Sequence, residues 1–289
     1  MKVNSNLMKD IMAYYKLKLG QTYSENEASS LLYTLISQFF GYSKIDLVKQ
    51  SDLRLNESEI LKIHFAIKDL ISQKPIQYIT GKVEFLDLEL QIKKGVLIPR
   101  PETEELVQLI IEDLKQRKSN YSLLDIGTGS GCIPLALKHY LKDIRACGID
   151  VSSEALELAR KNAEILKLDV SFKSVDILDL GQIKSLDKVD LIVSNPPYVR
   201  ESEKKHMQKN VLDYEPDLAL YVSDENPLKF YDRIALIGTE ILNENGLLYF
   251  EINEYLGKEM IELLDKYGYQ NIQIKKDYND RDRFISAIK

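Results

Sequence analysis

Between about Leu7 and Ser72, apolar residues recur at three- and four-residue intervals, as in Leu31, Leu32, Leu35, Ile36 and Phe39 and again in Ile60, Ile63, Phe65 and Ile67. That spacing places them on one face of successive α-helices. Gly20, Gly41 and Ser51-Asp52 interrupt the pattern, so residues 1–72 are expected to form a small bundle of short helices. Pro75 ends it. Val83 to Ile92 then alternates apolar and polar positions around Leu86-Asp87, the signature of a hairpin. The prolines of Leu97-Ile98-Pro99-Arg100-Pro101 stiffen the approach to a helix carrying Leu106, Val107, Leu109, Ile110 and Leu114. Residues 73–100 thus read as a linker containing a β-hairpin.

From Ser122 the pattern changes. Apolar runs at Leu123–Ile126, Ala146–Ile149, Val170–Val175, Leu191–Val193 and Leu247–Phe250 alternate with amphipathic stretches near Ile133–Tyr140, Ser153–Leu166, Leu228–Leu242 and Leu256–Tyr267. Such alternation predicts a parallel sheet wound by helices on both faces. Ser152 is placed to cap the second helix, and Asn226 with Pro227 to open the third. Ile272–Ile274 and Phe284–Ile288 add two strands, expected as an antiparallel hairpin at one edge. The expected fold class is α/β: a doubly wound, mostly parallel seven-stranded sheet over residues 101–289, preceded by the helical bundle and the hairpin linker.

Composition narrows the function. A length of 289 residues accommodates a small domain beside a mid-sized one. The 39 Lys and Arg against 45 Asp and Glu, for a net charge of −6, argue against a broad nucleic-acid surface, which needs a clustered surplus of positive charge. Cys132 and Cys147 form no CxxC pair, and His64, His139 and His206 are scattered, so neither a disulfide framework nor a metal site is expected. The N-terminus leads into no apolar signal segment, and no run approaches the roughly 18 apolar residues of a membrane span. A cytoplasmic monomer without membrane contact is expected.

The first strand runs directly into Gly127-Thr128-Gly129-Ser130-Gly131 and then a helix. In an open α/β sheet this is the strand-to-helix turn at the carboxyl edge, where ligands bind. Glycines there permit unusual backbone angles and close ligand approach. The spacing is GxGxG, and the third glycine of a dinucleotide fingerprint would fall on Cys132; a P-loop is also absent. The next strand ends in Asp150, placed to accept hydrogen bonds from both ribose hydroxyls of a nucleoside. Adenosine without a pyrophosphate is therefore favoured. Asp125, just before the turn, could hold the loop or face an ammonium group of the ligand, and Asp176 sits where an adenine amino group could be read.

The fourth run ends in Asn195-Pro196-Pro197-Tyr198. Two prolines fix this loop and remove two N–H donors, leaving the Asn195 side-chain oxygen and main-chain carbonyls as a concentrated set of acceptors. Such a site suits a planar NH2 group. The lone pair of an amide or aromatic amine is delocalised and attacks poorly; acceptors on its two hydrogens turn the group and raise electron density on nitrogen, while placement in line with a sulfonium methyl supplies proximity. Tyr198 is expected to pack on the planar group. No candidate general base stands out, consistent with a nitrogen that becomes strongly acidic as its charge develops.

With these residues in view, the chain resembles the class I S-adenosylmethionine-dependent methyltransferases, through Leu124-Asp125-Ile126-Gly127-Thr128-Gly129-Ser130-Gly131, Asp150 and Asn195-Pro196-Pro197-Tyr198. Within them it resembles the HemK/PrmC family of glutamine methyltransferases. The narrower likeness rests on Pro75-Ile76-Gln77-Tyr78-Ile79-Thr80-Gly81 with Phe85, Val96 to Glu104, Tyr214-Glu215-Pro216 with Ala219-Leu220, and Asp277-Tyr278 with Arg283. The resemblance implies methyl transfer from S-adenosylmethionine, leaving S-adenosylhomocysteine, to the side-chain amide nitrogen of the Gly-Gly-Gln glutamine in class I peptide chain release factors. It implies that Gly127, Thr128, Gly129, Ser130 and Gly131 line the cofactor with Asp125, Asp150, Asp176 and Asn195. It further implies that Asn195, Pro196, Pro197 and Tyr198 hold the glutamine, with Asn195 and the Pro196 carbonyl as acceptors. Ile177 stands where some members stack an aromatic ring on adenine, so an apolar contact is implied instead. The helical bundle would dock the partner.

Two other readings compete. A DNA adenine or ribosomal RNA guanine methyltransferase would share the acceptor loop, but the acidic balance and the absence of a basic, aromatic-studded recognition segment oppose it. A non-catalytic binding protein is opposed by the intact acceptors at Asn195.

Overall fold

The computed structural model describes residues 5–49, 52–115, 120–184 and 186–289; Ser51, read above as part of a helix boundary, lies outside them. The chain divides into two compact units, Met1–Gly81 with Gln208–Tyr214, and Lys82–Met207 with Glu215–Lys289.

The first unit holds α1 (Met8–Leu19), α2 (Glu25–Phe40), α3 (Lys44–Lys49), α4 (Glu57–Ile71) and α5 (Ile76–Thr80). Local signals set the ends. Ser24 accepts the Glu27 N–H to start α2, Gly41 stops it at φ 75°, and Asn56 with Glu59 forms a reciprocal cap on α4. Ile11, Leu19, Leu32, Leu35, Ile36, Ile63 and Ile67 are buried between the helices, each contributing about 1.5–3 kcal/mol. Phe65, one of the periodic apolar residues, instead points outward at 60% exposure.

The second unit begins with the antiparallel hairpin β1 (Lys82–Phe85) and β2 (Leu88–Gln91). It continues through α6 (Pro101–Lys115), β3 (Ser122–Ile126), α7 (Cys132–Tyr140), β4 (Arg145–Asp150), α8 (Ser153–Leu166), β5 (Val170–Ser174), α9 (Leu180–Ile183) and β6 (Val189–Ser194). A short parallel pair follows, β7 (Val199–Arg200) with β8 (Tyr221–Val222), between which in sequence come α10 (Lys209–Tyr214, of the first unit) and α11 (Asp217–Leu220). Then come α12 (Lys229–Ile241), β9 (Leu242–Glu251), α13 (Gly257–Lys266), β10 (Gln270–Lys276) and β11 (Asp282–Ile288).

The main sheet has seven strands in the order β10-β11-β9-β6-β3-β4-β5. Neighbours from β9 to β5 run parallel, while β11 and β10 form the antiparallel edge. This is the doubly wound, mostly parallel sheet that the alternation of runs predicts. Its core gathers Leu124, Ile126, Ile192, Leu248 and Phe250 with the inner faces of α12 and α13. Buried Tyr231 meets Phe250 edge to face at 5.3 Å.

From β3 the chain moves outward through β4 and β5, then returns to lay β6 on the other side of β3. That reversal opens a crevice at the carboxyl ends of β3 and β6. Ile126 and Ser194 stand opposite each other in register, and the Ser194 hydroxyl donates to the Ile126 carbonyl at 2.6 Å, so the loops after the two strands leave side by side.

Two local expectations change. Ser152 does cap α8, accepting the Ala155 N–H at 3.2 Å, but α12 starts after Leu228 without a side-chain cap. Asn226 contributes only its backbone carbonyl, to the Lys229 N–H at 3.3 Å. The hairpin, read as linker, clusters with the sheet unit. The physical tie is Asn162 of α8, 1% exposed, which accepts the Gln91 N–H and donates to the carbonyls of Gln91 and Ser130.

Candidate active site

The loop after β3 is tightly specified. The N–H groups of Gly127 and Thr128 donate to the Ile149 carbonyl at 2.9 and 3.0 Å, and Gly127 has φ 77°. A side chain there would meet no atom within 4 Å, because that side of the loop opens on a cavity. Gly131, φ 81°, has a different role. A Cβ on it would lie 3.1 Å from Ala159 and Leu135 and 3.2 Å from Phe172, so it lets the start of α7 pack on its neighbours and does not line the cavity.

Asp150 closes β4 at the cavity wall. Its Oδ2 accepts the Gly129 N–H and its Oδ1 the Ser152 N–H, both at 2.9 Å. Burial raises its pKa and the backbone donors oppose that shift. Each oxygen retains a further lone pair for a ligand hydroxyl. Asp176 and Ile177 line the same cavity, with Asp176 Oδ1 taken by the Leu178 N–H at 2.8 Å.

Asp125 lies behind the turn, fully buried, and is absent from the cavity wall. Among the described residues neither carboxyl oxygen has a hydrogen-bond partner. Burial pushes its pKa up to about 7, with the nearby Thr128 hydroxyl pulling the other way short of hydrogen-bond geometry. The placement keeps Asp125 off the cavity wall, and among the described residues no hydrogen bond from its carboxyl holds the loop. Thr128 Oγ1 and Ser130 Oγ are also buried and, among the described residues, unpartnered.

The loop after β6 brings Asn195, Pro196 and Pro197 to the wall of the same cavity, whose volume is about 530 Å³, within the usual range for small-molecule sites. Asn195 Nδ2 donates to Thr103 Oγ1 at 3.1 Å. Thr103 Oγ1 donates to Glu251 Oε2 at 2.7 Å, and the Tyr198 hydroxyl donates to Glu251 Oε1 at 2.9 Å. Tyr198 therefore differs from expectation: its hydroxyl is anchored on Glu251 and its ring packs against the main core, outside the cavity wall. Burial raises the pKa of both Tyr198 and Glu251.

A second tie crosses the cavity rim. Arg100 donates to Glu215 Oε1 at 2.6 Å, and Glu215 Oε2 faces the Ile98 N–H at 3.4 Å. The Glu215 side chain is 1% exposed and that of Arg100 32%. Both flanking segments, Leu97 to Arg100 and Pro216 to Ala219, supply cavity wall.

Sequence reasoning missed Thr103, Glu251, Arg100 and Glu215 as site residues. Glu251 had a usable signal, since an acidic residue directly after the run Leu247–Phe250 stands at a strand end just as Asp150 does. Arg100, Thr103 and Glu215 lie in stretches that carry the family likeness, but nothing local gives them a role; the partner of Thr103 is 148 positions away.

The crevice of a doubly wound sheet with an open glycine turn, an acidic strand end and an acceptor loop defines a class: the S-adenosylmethionine-dependent methyltransferases. The open side of Gly127, the spare lone pairs of Asp150 and the orphaned Thr128 and Ser130 hydroxyls fit such a cofactor. A family model described as a methyltransferase domain matches residues 117–273, and one described as the PrmC N-terminal domain matches residues 10–81. The release factor glutamine methyltransferase of Flavobacterium psychrophilum is 44% identical, with 97% of this chain and 99% of that protein covered. That of Bacteroides thetaiotaomicron is 42% identical over the same shares, and that of Clostridium acetobutylicum 35% identical over 100% and 99%. The chain belongs to the release factor glutamine methyltransferase family. The fold is shared more widely: a methyltransferase from Pyrococcus furiosus superposes with a TM-score of 0.52 at 18% identity, covering 81% of this chain and 99% of that one. Among the described residues, no helix is long and apolar enough to cross a membrane.

Proposed function

We propose that this enzyme methylates the side-chain amide nitrogen of the glutamine in the Gly-Gly-Gln motif of class I peptide chain release factors, in the cytoplasm and as a monomer. The observation that carries the reading is the orientation of Asn195. Its NH2 is committed to Thr103, so among the described residues its Oδ1 is left free as an acceptor beside the cavity, next to the proline pair.

The residues act in named ways. Asp150 binds the ribose hydroxyls, and Gly127, Thr128, Gly129 and Ser130 admit the methionine portion. Asn195 Oδ1 and the Pro196 carbonyl accept the two N–H bonds of the glutamine amide, turning it so that its nitrogen faces the methyl and loses conjugation with the carbonyl. When bound, S-adenosylmethionine supplies a methyl on a positively charged sulfur, and S-adenosylhomocysteine is left. The nitrogen's surplus proton passes to water, which needs no dedicated base. No metal is required. The helical unit docks the release factor; exposed Leu17, Val48 and Phe65 supply apolar contact area on it.

The test is to incubate the protein with methyl-labelled S-adenosylmethionine and, separately, a release factor, its Gly-Gly-Ala variant, DNA and ribosomal RNA. Label on the release factor alone is expected. Label on nucleic acid alone would overturn the reading.

A further inference from the structure

A carboxamide is nearly symmetric in shape, and a half-turn of the Asn195 side chain exchanges its oxygen for its NH2. Only one orientation is useful to an NH2 substrate, since the other sets donor against donor. Within the loop itself, Pro196 and Pro197 carry no N–H that could select the orientation.

The selection comes from elsewhere. Glu251 at the end of β9 is 1% exposed and Thr103 in the first turn of α6 is 3% exposed, so water is kept from both. Burial works against ionisation of Glu251, while the Thr103 and Tyr198 hydroxyls and the charge of Arg283 favour it; as a carboxylate it only accepts hydrogen bonds. Its Oε1 takes the Tyr198 hydroxyl proton and its Oε2 the Thr103 hydroxyl proton. Thr103 then has only lone pairs to offer Asn195, which must answer with Nδ2, 3.1 Å away. The same carboxylate thereby holds the acceptor loop at both ends, through Thr103 at Asn195 and directly at Tyr198.

We propose that Glu251 and Thr103 are positioning residues whose hydrogen-bond polarity fixes the Asn195 amide with its oxygen toward the substrate. The role of that oxygen rests on the function proposed above; the fixed orientation itself does not. Glu251 is absent from the cavity wall and Thr103 sits at it, with its hydroxyl spent between Glu251 and Asn195. Their work is to make the acceptor geometry permanent, so that no fraction of the enzyme presents the wrong group.

Three measurements test this. First, Thr103→Val keeps shape but removes the hydroxyl: kcat for release factor methylation is expected to fall roughly 10- to 100-fold while KM for release factor and Kd for S-adenosylmethionine change by less than about twofold. Second, Thr103→Ser restores the hydroxyl and is expected to return most of the kcat. An unchanged kcat in Thr103→Val, or a Ser variant as slow as the Val variant, would overturn the inference. Third, in the unaltered full-length protein with labelled asparagine, the NH2 signal assigned by its loss in Asn195→Ala is expected to show slowed hydrogen exchange. Exchange at the rate of a free amide would overturn the inference even if Thr103→Val fails to fold. An unaltered protein that cannot methylate release factor, yet shows the protected NH2, would sink the proposed function and leave the fixed orientation standing.

Discussion

Gly129 donates its N–H to Asp150 Oδ2 at 2.9 Å, which binds the end of β4 to the glycine turn after β3. Asp150 thus shapes the turn as well as facing the cavity. Asp150→Ala is expected to weaken S-adenosylmethionine binding by about 2–3 kcal/mol, the scale of hydrogen bonds to a charged group. Calorimetric titration checks it, and an unchanged Kd would remove Asp150 from the binding site.

Asn195→Ala removes the side-chain acceptor but not the cavity. Transfer to release factor is expected to fall by about 100- to 1,000-fold, with cofactor affinity within about threefold of the unaltered protein. A variant as active as the parent would make Asn195 merely a turn residue.

Asp125 imposes a pH dependence on stability. Its carboxyl titrates at about 7 in the fold against 3.8 ordinarily, so between those values the folded chain keeps a proton that the unfolded chain has released. Stability from this group is therefore full below pH 3.8 and lost as pH rises toward 7, by an amount on the order of 4 kcal/mol. Asp125→Asn should flatten that slope in urea denaturation of cofactor-free protein measured from pH 5 to 8. A slope identical to the parent's would show that Asp125 is not the source.

The Arg100–Glu215 pair is asymmetric, with the carboxylate buried and the guanidinium partly exposed. Arg100→Ala strands a buried charge and is expected to cost about 3 kcal/mol, whereas Glu215→Gln frees an arginine that water can solvate and should cost less. Thermal melts of the two variants rank them. The reverse order would contradict the burial argument.

Val48 and Phe65 are exposed at 80% and 60%, and they bear on docking. Val48→Ser with Phe65→Ser is expected to raise KM for whole release factor roughly tenfold, as the loss of two modest apolar contacts would, while leaving methylation of a short Gly-Gly-Gln peptide unchanged. Equal effects on both substrates would place the docking surface elsewhere.

The central strands were legible because burial on both faces writes near-continuous apolar runs, as in β3, β6 and β9, whereas edge strand β5 buries only Phe172 and shows as an interrupted run; Ser153–Leu166 matches the helix the structure shows. The site was legible where a motif is local: Gly127 to Ser130, Asp150 and Asn195 to Pro197 do meet at one cavity. Three local motif members behave otherwise. Gly131 is committed to packing, Asp125 sits behind the turn, and the Tyr198 ring turns from the cavity because its hydroxyl is drawn to Glu251. For Gly131 and Tyr198 neighbours distant in sequence are responsible, Ala159 and Phe172 in the first case and Glu251 in the second. Asn226-Pro227 failed as a helix opener for a local reason, since Leu228 intervenes with its own backbone turn.

The return of the chain to β6 beside β3 divides labour along a seam. The glycine turn, Asp150 and Asp176 follow β3, β4 and β5, while the acceptor loop and the carboxylate that holds it descend from β6 and β9, with Leu97 to Arg100 and Pro216 to Ala219 adding wall to the same cavity. The two halves are joined along the β3–β6 ladder, tied at one end by Ser122 with Asp190 and at the other by Ser194 with Ile126. Donor side and acceptor side are thus locked in register by one strand pair, so a shift at that seam would move the Asn195 loop relative to the glycine turn.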